Sequence, residues 1–586
     1  MHVRSLRSDP LAISGTLLVC LLIAFAVVWF APLDLRHVVP NDEGRYAEMA
    51  REMFVTGDWV TPRYNGYKYF EKPPLQTWAN ALTYAWFGIG DWQARLYTAL
   101  TGFGGVLLLG YTASRLYGAT IGFYAATILA GAPLWAALGH YDTLDMGLSF
   151  WMELVMCAML LAQHVSATAG QRRGWMLVCW GAMAGAVLSK GLVGIILPGA
   201  VLVLYSLASA NLRVWMRLHI VKGLIVFFVI TLPWFILVQK ANPEFLHFFF
   251  IVQQFQRYLT ADQNRPGAYY YFVPVMLVGF LPWLTLAFSH SRTLSVWRHP
   301  IDTVRATLSA WRSTGRDGSI DSAGFAAIWA VFIFVFFSMS HSKLVTYVLP
   351  VAPAVALLLA LGAASISAAH WQKHLRGFMV FLAIAALASF ALRFMDDRQG
   401  SRDAYQTFQW WVLGAVVFCA LMTWLAIRLA RSPRGMSASF AAVAGGWLGL
   451  CLIAGSGHEA LGGPMSGAAL APTIKAALAR TPADTPFYAI DRLDHTLPFY
   501  MGHTTIMVHG TDELAFGVQA EPEKWVPTIA EWETRWRAAR YAFALMKPSQ
   551  YREFVQQGVP MTVVAADRWR VVVEKPSDSP ASASQP

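Results

Sequence analysis

Apolar stretches of roughly twenty residues recur along this chain, and that length is what crosses a hydrocarbon core about 30 Å thick. Thirteen are legible, at 11–32, 91–114, 118–138, 145–163, 174–189, 191–208, 219–239, 269–290, 323–340, 344–363, 375–393, 408–427 and 436–455. A further apolar segment, 75–89, is short and reads as interfacial or re-entrant. Composition agrees: of 586 residues 56% are hydrophobic and 13% charged, against about 25% charged in a typical soluble domain. That argues against a water-soluble fold of this size and against long disorder, which needs low hydrophobicity. The expected fold class is an α-helical polytopic membrane protein of about 13 transmembrane helices.

The formal net charge of +11 has its simplest origin in topology rather than in nucleic-acid binding. With the N-terminus inside, the inside stretches hold 18 Lys or Arg and only 4 Asp. Loop 291–322 alone carries Arg292, Arg298, Arg305, Arg312 and Arg316. The positive-inside rule is therefore met along the whole chain. An odd number of spans then puts residues 456–586 outside, which is the periplasm for a multi-pass protein of a bacterial inner membrane. The five cysteines all fall in apolar blocks without metal or disulfide spacing. No cleavable signal precedes Asp34.

Three domains are expected: a membrane domain over 1–455 with outer loops 33–74 and 240–268, a soluble α/β domain over 456–575, and a disordered tail over 576–586. Within the first outer loop a helix is expected over 43–56, capped by Asp42, because Arg45, Tyr46, Met49 and Met53 repeat at helical spacing. In the soluble domain, strand-like runs at 486–490, 504–510, 541–546, 561–566 and 568–574 alternate with helical ones at 466–480, 527–540 and 548–557.

The densest chemistry is Asp42-Glu43-Gly44-Arg45-Tyr46 followed by Tyr69-Phe70-Glu71-Lys72-Pro73-Pro74, just outside a span. Asp142, Asp145 and Lys190 also lie at the outer edge, where ionisable groups are functional candidates. Asp142 and Asp145, three apart, are expected on one helical face. A lipid-phosphate donor needs cations for its phosphate and a carboxylate near the carbon that changes partners. Lys72, Arg45 and Arg257 supply the cations in this reading, and Asp42 the carboxylate. The plainer alternative is that Asp42 only caps a helix and the charges solvate a loop. His495, His503, Asp512 and Glu513 are read as solvated surface.

DEGRYAEMAREM and GYKYFEKPPLQTW, with HYDTLDM (140–146), LSKGLVGIILPG (188–199), FQRYLT (255–260) and HSKLVTYVLPVAPAVAL (341–357), resemble in order the lipid-linked sugar transferases of the GT-C fold. That superfamily holds the protein O-mannosyltransferases and the aminoarabinose transferases. LDHTLPFYMG (493–502) and DELAFG (512–517) look like the bacterial aminoarabinose branch. The resemblance implies that Asp42 is the essential carboxylate, with Asp145 in the cavity. It puts Arg45, Tyr46, Tyr69, Lys72, Lys190 and Arg257 at the donor phosphate. Glu43, Glu71, Lys343 and Tyr347 are further cavity candidates. Where relatives often carry a Glu-His pair the chain reads Gln253-Gln254, which weakens a metal ligand there. A divalent metal stays open, and no other cofactor is called for.

The implied reaction moves a sugar, 4-amino-4-deoxy-L-arabinose, from undecaprenyl phosphate to a lipid A phosphate among membrane lipids. A near alternative has a protein or another glycan as acceptor. A transporter or lipid-binding scaffold is the alternative of another class. It fits less well, because the charges gather at one membrane face and no repeat is visible.

Overall fold

The computed structural model describes residues 15–256, 267–283, 286, 309, 319–432 and 435–576. Arg257, most of loop 291–322, the end of the 269–290 span and the expected tail after 576 lie outside them. Among the described residues nine helices are long and apolar enough to cross a membrane. The chain is a multi-pass membrane protein, and the expected number of thirteen is not reached by that measure. The difference falls on identifiable segments. The expected span 118–138 is two helices, Ala119–Ala130 and Pro133–Leu138. Pro133 has no N–H to continue the first helix and opens the second at its N-terminus. Val193–Ser209 is 17 residues long, and Ala169–Lys190 is less apolar because it carries Arg172, Arg173 and Lys190. The 269–290 span lies only partly within the described residues. The 344–363 span is one of the nine, a 3₁₀ turn, Val345–Val351, running into the helix Ala352–Ala363.

The Leu144–Ala162 helix lies at the centre, with most of its residues buried on every side. A helix apolar all round suits that place. The helices around it share one large core with Trp135, Trp283, Trp329 and Trp371 at its heart.

The segment 75–89 forms the helix Leu75–Phe87. In the 33–74 loop, the expected helix spans Asp42–Thr56, but Asp42 does not cap it. The N-cap is Asn41, held at φ 70° with no side-chain cap bond. Asp42 is therefore in the first turn, where a carboxylate faces the positive end of the helix dipole. A short hairpin, β1 (Arg63–Tyr64) and β2 (Tyr67–Lys68), follows.

All five expected strands of the C-terminal region form: β3 Phe487–Ile490, β4 Ile506–Val508, β5 Phe543–Met546, β6 Thr562–Ala566 and β7 Val571–Glu574. They make one sheet in the order β4-β3-β5-β7-β6. β4, β3 and β5 run parallel, and β7 runs antiparallel to both its neighbours, β5 and β6. Alternate residues serve opposite faces. Tyr488 and Ile490 pack on Trp532, Trp536 and Phe554, whereas Phe487 packs on Ile474 and Leu497. The third layer matters for the site: Ala489, Leu493, Met507, Leu514 and Val518 share one core with Tyr46, Met49, Tyr64, Tyr67 and Tyr69 of the 33–74 loop.

Polar contacts fix this docking. Asn65 donates to the Thr505 carbonyl at 2.9 Å, and the Thr505 N–H donates back to Asn65 Oδ1 at 2.7 Å. Arg63 meets Glu521 at 3.0 Å. The Phe516 ring stacks on Phe248 at 3.8 Å and lies 5.6 Å from Phe70, joining the 240–268 segment to the 33–74 loop. Gly44 is where the backbones come closest. A Cβ there would sit 2.3 Å from the His495 carbonyl oxygen, so no other residue fits without moving the loop.

Candidate active site

Four neighbours in one helical turn have four different surroundings. Asp42 is partly open and accepts a hydrogen bond from Arg45 Nη1 at 3.0 Å. Glu43 points the other way and is fully buried. Arg36 donates to both its oxygens at 2.7 Å, and Arg95 does so at 2.9 and 3.0 Å. The backbone N–H groups of Val39 and Asp142 add bonds of 3.1 and 3.0 Å. Burial pushes its carboxyl up, but the two guanidiniums outweigh this and hold it well below the usual carboxylate range. The expectation of Glu43 as a cavity residue is thus corrected: all its hydrogen-bonding capacity goes to joining the loop to the membrane helices. Arg95 completes this knot by donating to the carbonyls of Leu33, Arg36 and His37.

Arg45 lies between Asp42 and Glu513 of the C-terminal domain. Its Nε donates to Glu513 Oε1 at 2.9 Å and its Nη2 is 2.6 Å from Oε2. Such a two-point, largely buried pair fixes the plane of the guanidinium. Its carbon sits 5.7 Å from the Tyr46 ring. His495 Nδ1 lies 3.5 Å from Glu513 and shares a 2.8 Å hydrogen bond with Tyr64 Oη. Burial draws the imidazole below its ordinary value, with Arg45 adding to that and Glu513 opposing it.

Tyr69 is 2% exposed, and among the described residues its hydroxyl has no hydrogen-bond partner. Burial raises the phenols of Tyr46 and Tyr69 well above their ordinary value, so both remain donors at neutral pH. A buried donor left unmatched costs about 1–3 kcal/mol, and an anionic ligand oxygen would match it. Glu71 and Lys72 follow directly: Lys72 Nζ donates to the Glu71 carbonyl at 3.1 Å and lies 3.9 Å from its carboxylate. Both side chains keep a partly open surface.

Lys190, the last residue of its helix, donates to Asp145 at the start of the Leu144–Ala162 helix. Its ammonium sits 4.7 Å from the Tyr347 ring centroid, a cation–π distance. Asp42 is near enough to Lys190 for their charges to attract, and the Tyr69 phenol lies near Arg45. Asp42, Arg45, Tyr46, Tyr69, Glu71, Lys72, Asp145, Lys190 and Tyr347 thus come together around one charged cleft.

Three sequence expectations differ. Asp142 and Asp145 do not act as a pair: the helix begins at Leu144, and Asp142 is turned away to accept from Gln76, Asn80 and Thr98. Lys343 is not a cleft residue, since it donates to the carbonyls of Ser338 and Ser340 at 2.8 and 2.7 Å, closing the end of the Ser322–Met339 helix. Glu513 and His495 are not solvated surface but members of the site. Their only sequence signal was the DELAFG and LDHTLPFYMG runs, whose local pattern says nothing of a partner 468 residues away. Among the described residues, no three His, Cys, Asp or Glu side chains converge as a metal would require.

A membrane bundle whose cleft gathers carboxylates, cations and buried phenols, covered by a small α/β domain, has the form of an integral-membrane glycosyltransferase of the GT-C class. A family model described as dolichyl-phosphate-mannose-protein mannosyltransferase matches residues 15–249, and one described as the aminoarabinose transferase C-terminal domain matches residues 470–575. The solved ArnT from Cupriavidus metallidurans in the apo state is 41% identical, with a TM-score of 0.86 over 96% of this chain and 98% of its own. The same protein bound to undecaprenyl phosphate gives 0.88 over 96% and 99%. An undecaprenyl phosphate-alpha-4-amino-4-deoxy-L-arabinose arabinosyl transferase of Shewanella sediminis is 29% identical over 71% of this chain and 72% of its own length. This chain belongs to the ArnT family of aminoarabinose transferases.

Proposed function

We propose that this glycosyltransferase moves 4-amino-4-deoxy-L-arabinose from undecaprenyl phosphate to a phosphate of lipid A, at the periplasmic face of a bacterial inner membrane. The observation that carries the reading is the full-length likeness to ArnT in its undecaprenyl-phosphate-bound state. The cleft supplies matching chemistry. Lys72 and Arg45 face the donor phosphodiester, and the Tyr69 hydroxyl donates to one of its oxygens. An oxygen of the acceptor phosphate attacks the anomeric carbon. The bond from that carbon to the phosphate oxygen breaks, and polyprenyl phosphate leaves with the electron pair. Lys72 and Arg45 stabilise the charge that gathers on it. The acceptor phosphate is already anionic near neutral pH, so Asp42 removes no proton. It orients the reactants and offsets positive charge building on the sugar ring. Lys190 and Asp145 hold each other at the floor of the cleft and keep a cation in reach of Asp42.

The test is mass spectrometry of lipid A from cells lacking the protein and from cells carrying it as wild type, Asp42→Asn or Lys72→Ala. Wild type adds one aminopentose to lipid A, and both variants lose nearly all of it at equal protein level. Modified lipid A that persists in both variants overturns the roles. Unmodified lipid A together with newly glycosylated protein overturns the acceptor.

A further inference from the structure

At the membrane edge opposite the cleft, the helix Ala368–Ser389 lines a cavity of about 430 Å³ with His370, Lys373, His374, Gly377, Phe378 and Phe381, closed on one side by Leu281. The chain reaches that edge from Tyr347, beside Lys190 of the cleft, through the helix Ala352–Ala363, so one crossing separates the two. Positions 370, 373, 374, 377, 378 and 381 repeat at three and four residues and form one face of the helix. At 1.5 Å per residue, His370 to Phe381 rises about 16 Å, the depth of one leaflet of a roughly 30 Å core.

The lining is graded along that rise. His370, Lys373 and His374 are near the start of the helix, at the membrane edge, and Gly377, Phe378 and Phe381 are further along it. Among the described residues no carboxylate lines the cavity. Among the described residues the Lys373 ammonium forms no ion pair, and the side chain is exposed. His374 is fixed as a wall, its ring stacked 5.5 Å from Trp371, whose indole N–H donates to Ser439 at 2.8 Å. Gly377 keeps the groove open: nothing lies within 4 Å of where its Cβ would be, so any larger side chain would project into the space.

We infer that this groove binds an anionic glycerophospholipid of the leaflet opposite the catalytic cleft. Lys373 and His370 hold the headgroup phosphate, and an acyl chain lies along Gly377 and Phe381 against Leu281. Charge selects the lipid, because a basic pocket between membrane helices favours a net negative headgroup over a zwitterionic one. The length of the groove matches a single chain in one leaflet. The inference uses the membrane placement of the helices and not the sugar-transfer reading, so the two fail independently.

The experiment is native mass spectrometry of the full-length protein in detergent, with phosphatidylglycerol or phosphatidylcholine added at equal mole fraction. Wild type retains one phosphatidylglycerol per chain and little phosphatidylcholine. Lys373→Gln and His370→Gln each lower phosphatidylglycerol retention by about fivefold, the size of one basic contact at an anionic surface, and Lys373→Arg restores it. Gly377→Leu fills the groove and lowers retention of both lipids. Because Lys373 and His370 are exposed, their variants keep the wild-type melting temperature and decide the question even if Gly377→Leu fails to fold. Equal retention of the two lipids, unchanged retention in the Lys373→Gln and His370→Gln variants, or a retained lipid with the mass of a polyprenyl phosphate overturns the inference.

Discussion

Glu513 and Arg45, 468 residues apart in the chain, form a two-point ion pair with distances of 2.9 and 2.6 Å. The carboxylate of the C-terminal domain therefore shares one guanidinium with Asp42 of the 33–74 loop. Glu513 is a positioning residue: it fixes the plane of the cation that the proposed donor phosphate meets. Glu513→Ala is expected to cut kcat/KM for transfer by ten- to hundredfold, since a hydrogen bond to a charged group contributes about 1.5–3 kcal/mol. Glu513→Gln, which keeps one acceptor, falls between. The check is in vitro transfer at varied donor concentration. A merely structural role would lower kcat through loss of folded enzyme and leave the donor KM unchanged.

Gly44→Ala places a methyl group 2.3 Å from a backbone carbonyl that cannot rotate away. The expected cost is about 1–3 kcal/mol, seen as a lower melting temperature and faster proteolysis between the membrane bundle and the soluble domain. Gly199→Ala is the control. It lies within a helix with nothing within 4 Å of its Cβ position, and it leaves the melting temperature unchanged or raised.

Tyr69→Phe removes a hydroxyl that has no partner among the described residues. Its loss relieves an unmatched buried donor, so melting temperature holds or rises. Donor KM rises about tenfold if the hydroxyl serves the phosphate. Calorimetry and transfer kinetics on the same preparation separate the two effects.

Glu52 is buried beside Glu48, and these two effects, burial first, push its carboxyl up to about 8. Its Oε2 accepts the Gly66 N–H at 2.8 Å, tying the helix to the hairpin. Such a group is protonated in the folded protein and ionised in the unfolded chain between the ordinary value of 4.5 and about 8. The folded state binds the extra proton, so this contribution to stability is complete below 4.5 and is lost as pH rises through 8. Melting temperature is expected to fall from pH 5 to 9, with a shallower slope in Glu52→Gln. Parallel slopes would remove Glu52 as the cause.

Much of this fold is legible from residue order, because both signals involved are local. Lipid thickness sets the span length, and short runs of β-branched and aromatic residues mark buried strands, so Phe487–Ile490 and Val571–Glu574 are readable without their neighbours. The cleft is most legible where one short run holds several members, as from Asp42 to Tyr46, and where an ionisable group sits at a span end, as Asp145 and Lys190 do. Within that run Glu43 looks as available as Asp42. Arg36 and Arg95, which neutralise it, arrive from a preceding turn and a separate helix. Asp142 and Asp145 mislead for a related reason: spacing of three implies a shared face only if both residues are helical, and the helix starts at Leu144. Glu513 is hidden because an acid in a polar loop looks alike whether it meets water or a guanidinium.

Within one turn of the Asp42–Thr56 helix, Glu43 is bolted to Arg95 of the membrane bundle, Gly44 abuts the loop at His495, and Arg45 lines the cleft. That turn has no slack of its own. Rotating Arg45 toward a newly arrived phosphate would swing Glu43 against its arginines and Gly44 against a carbonyl. The guanidinium is thus an anvil rather than an arm, and the lipid has to be brought to it.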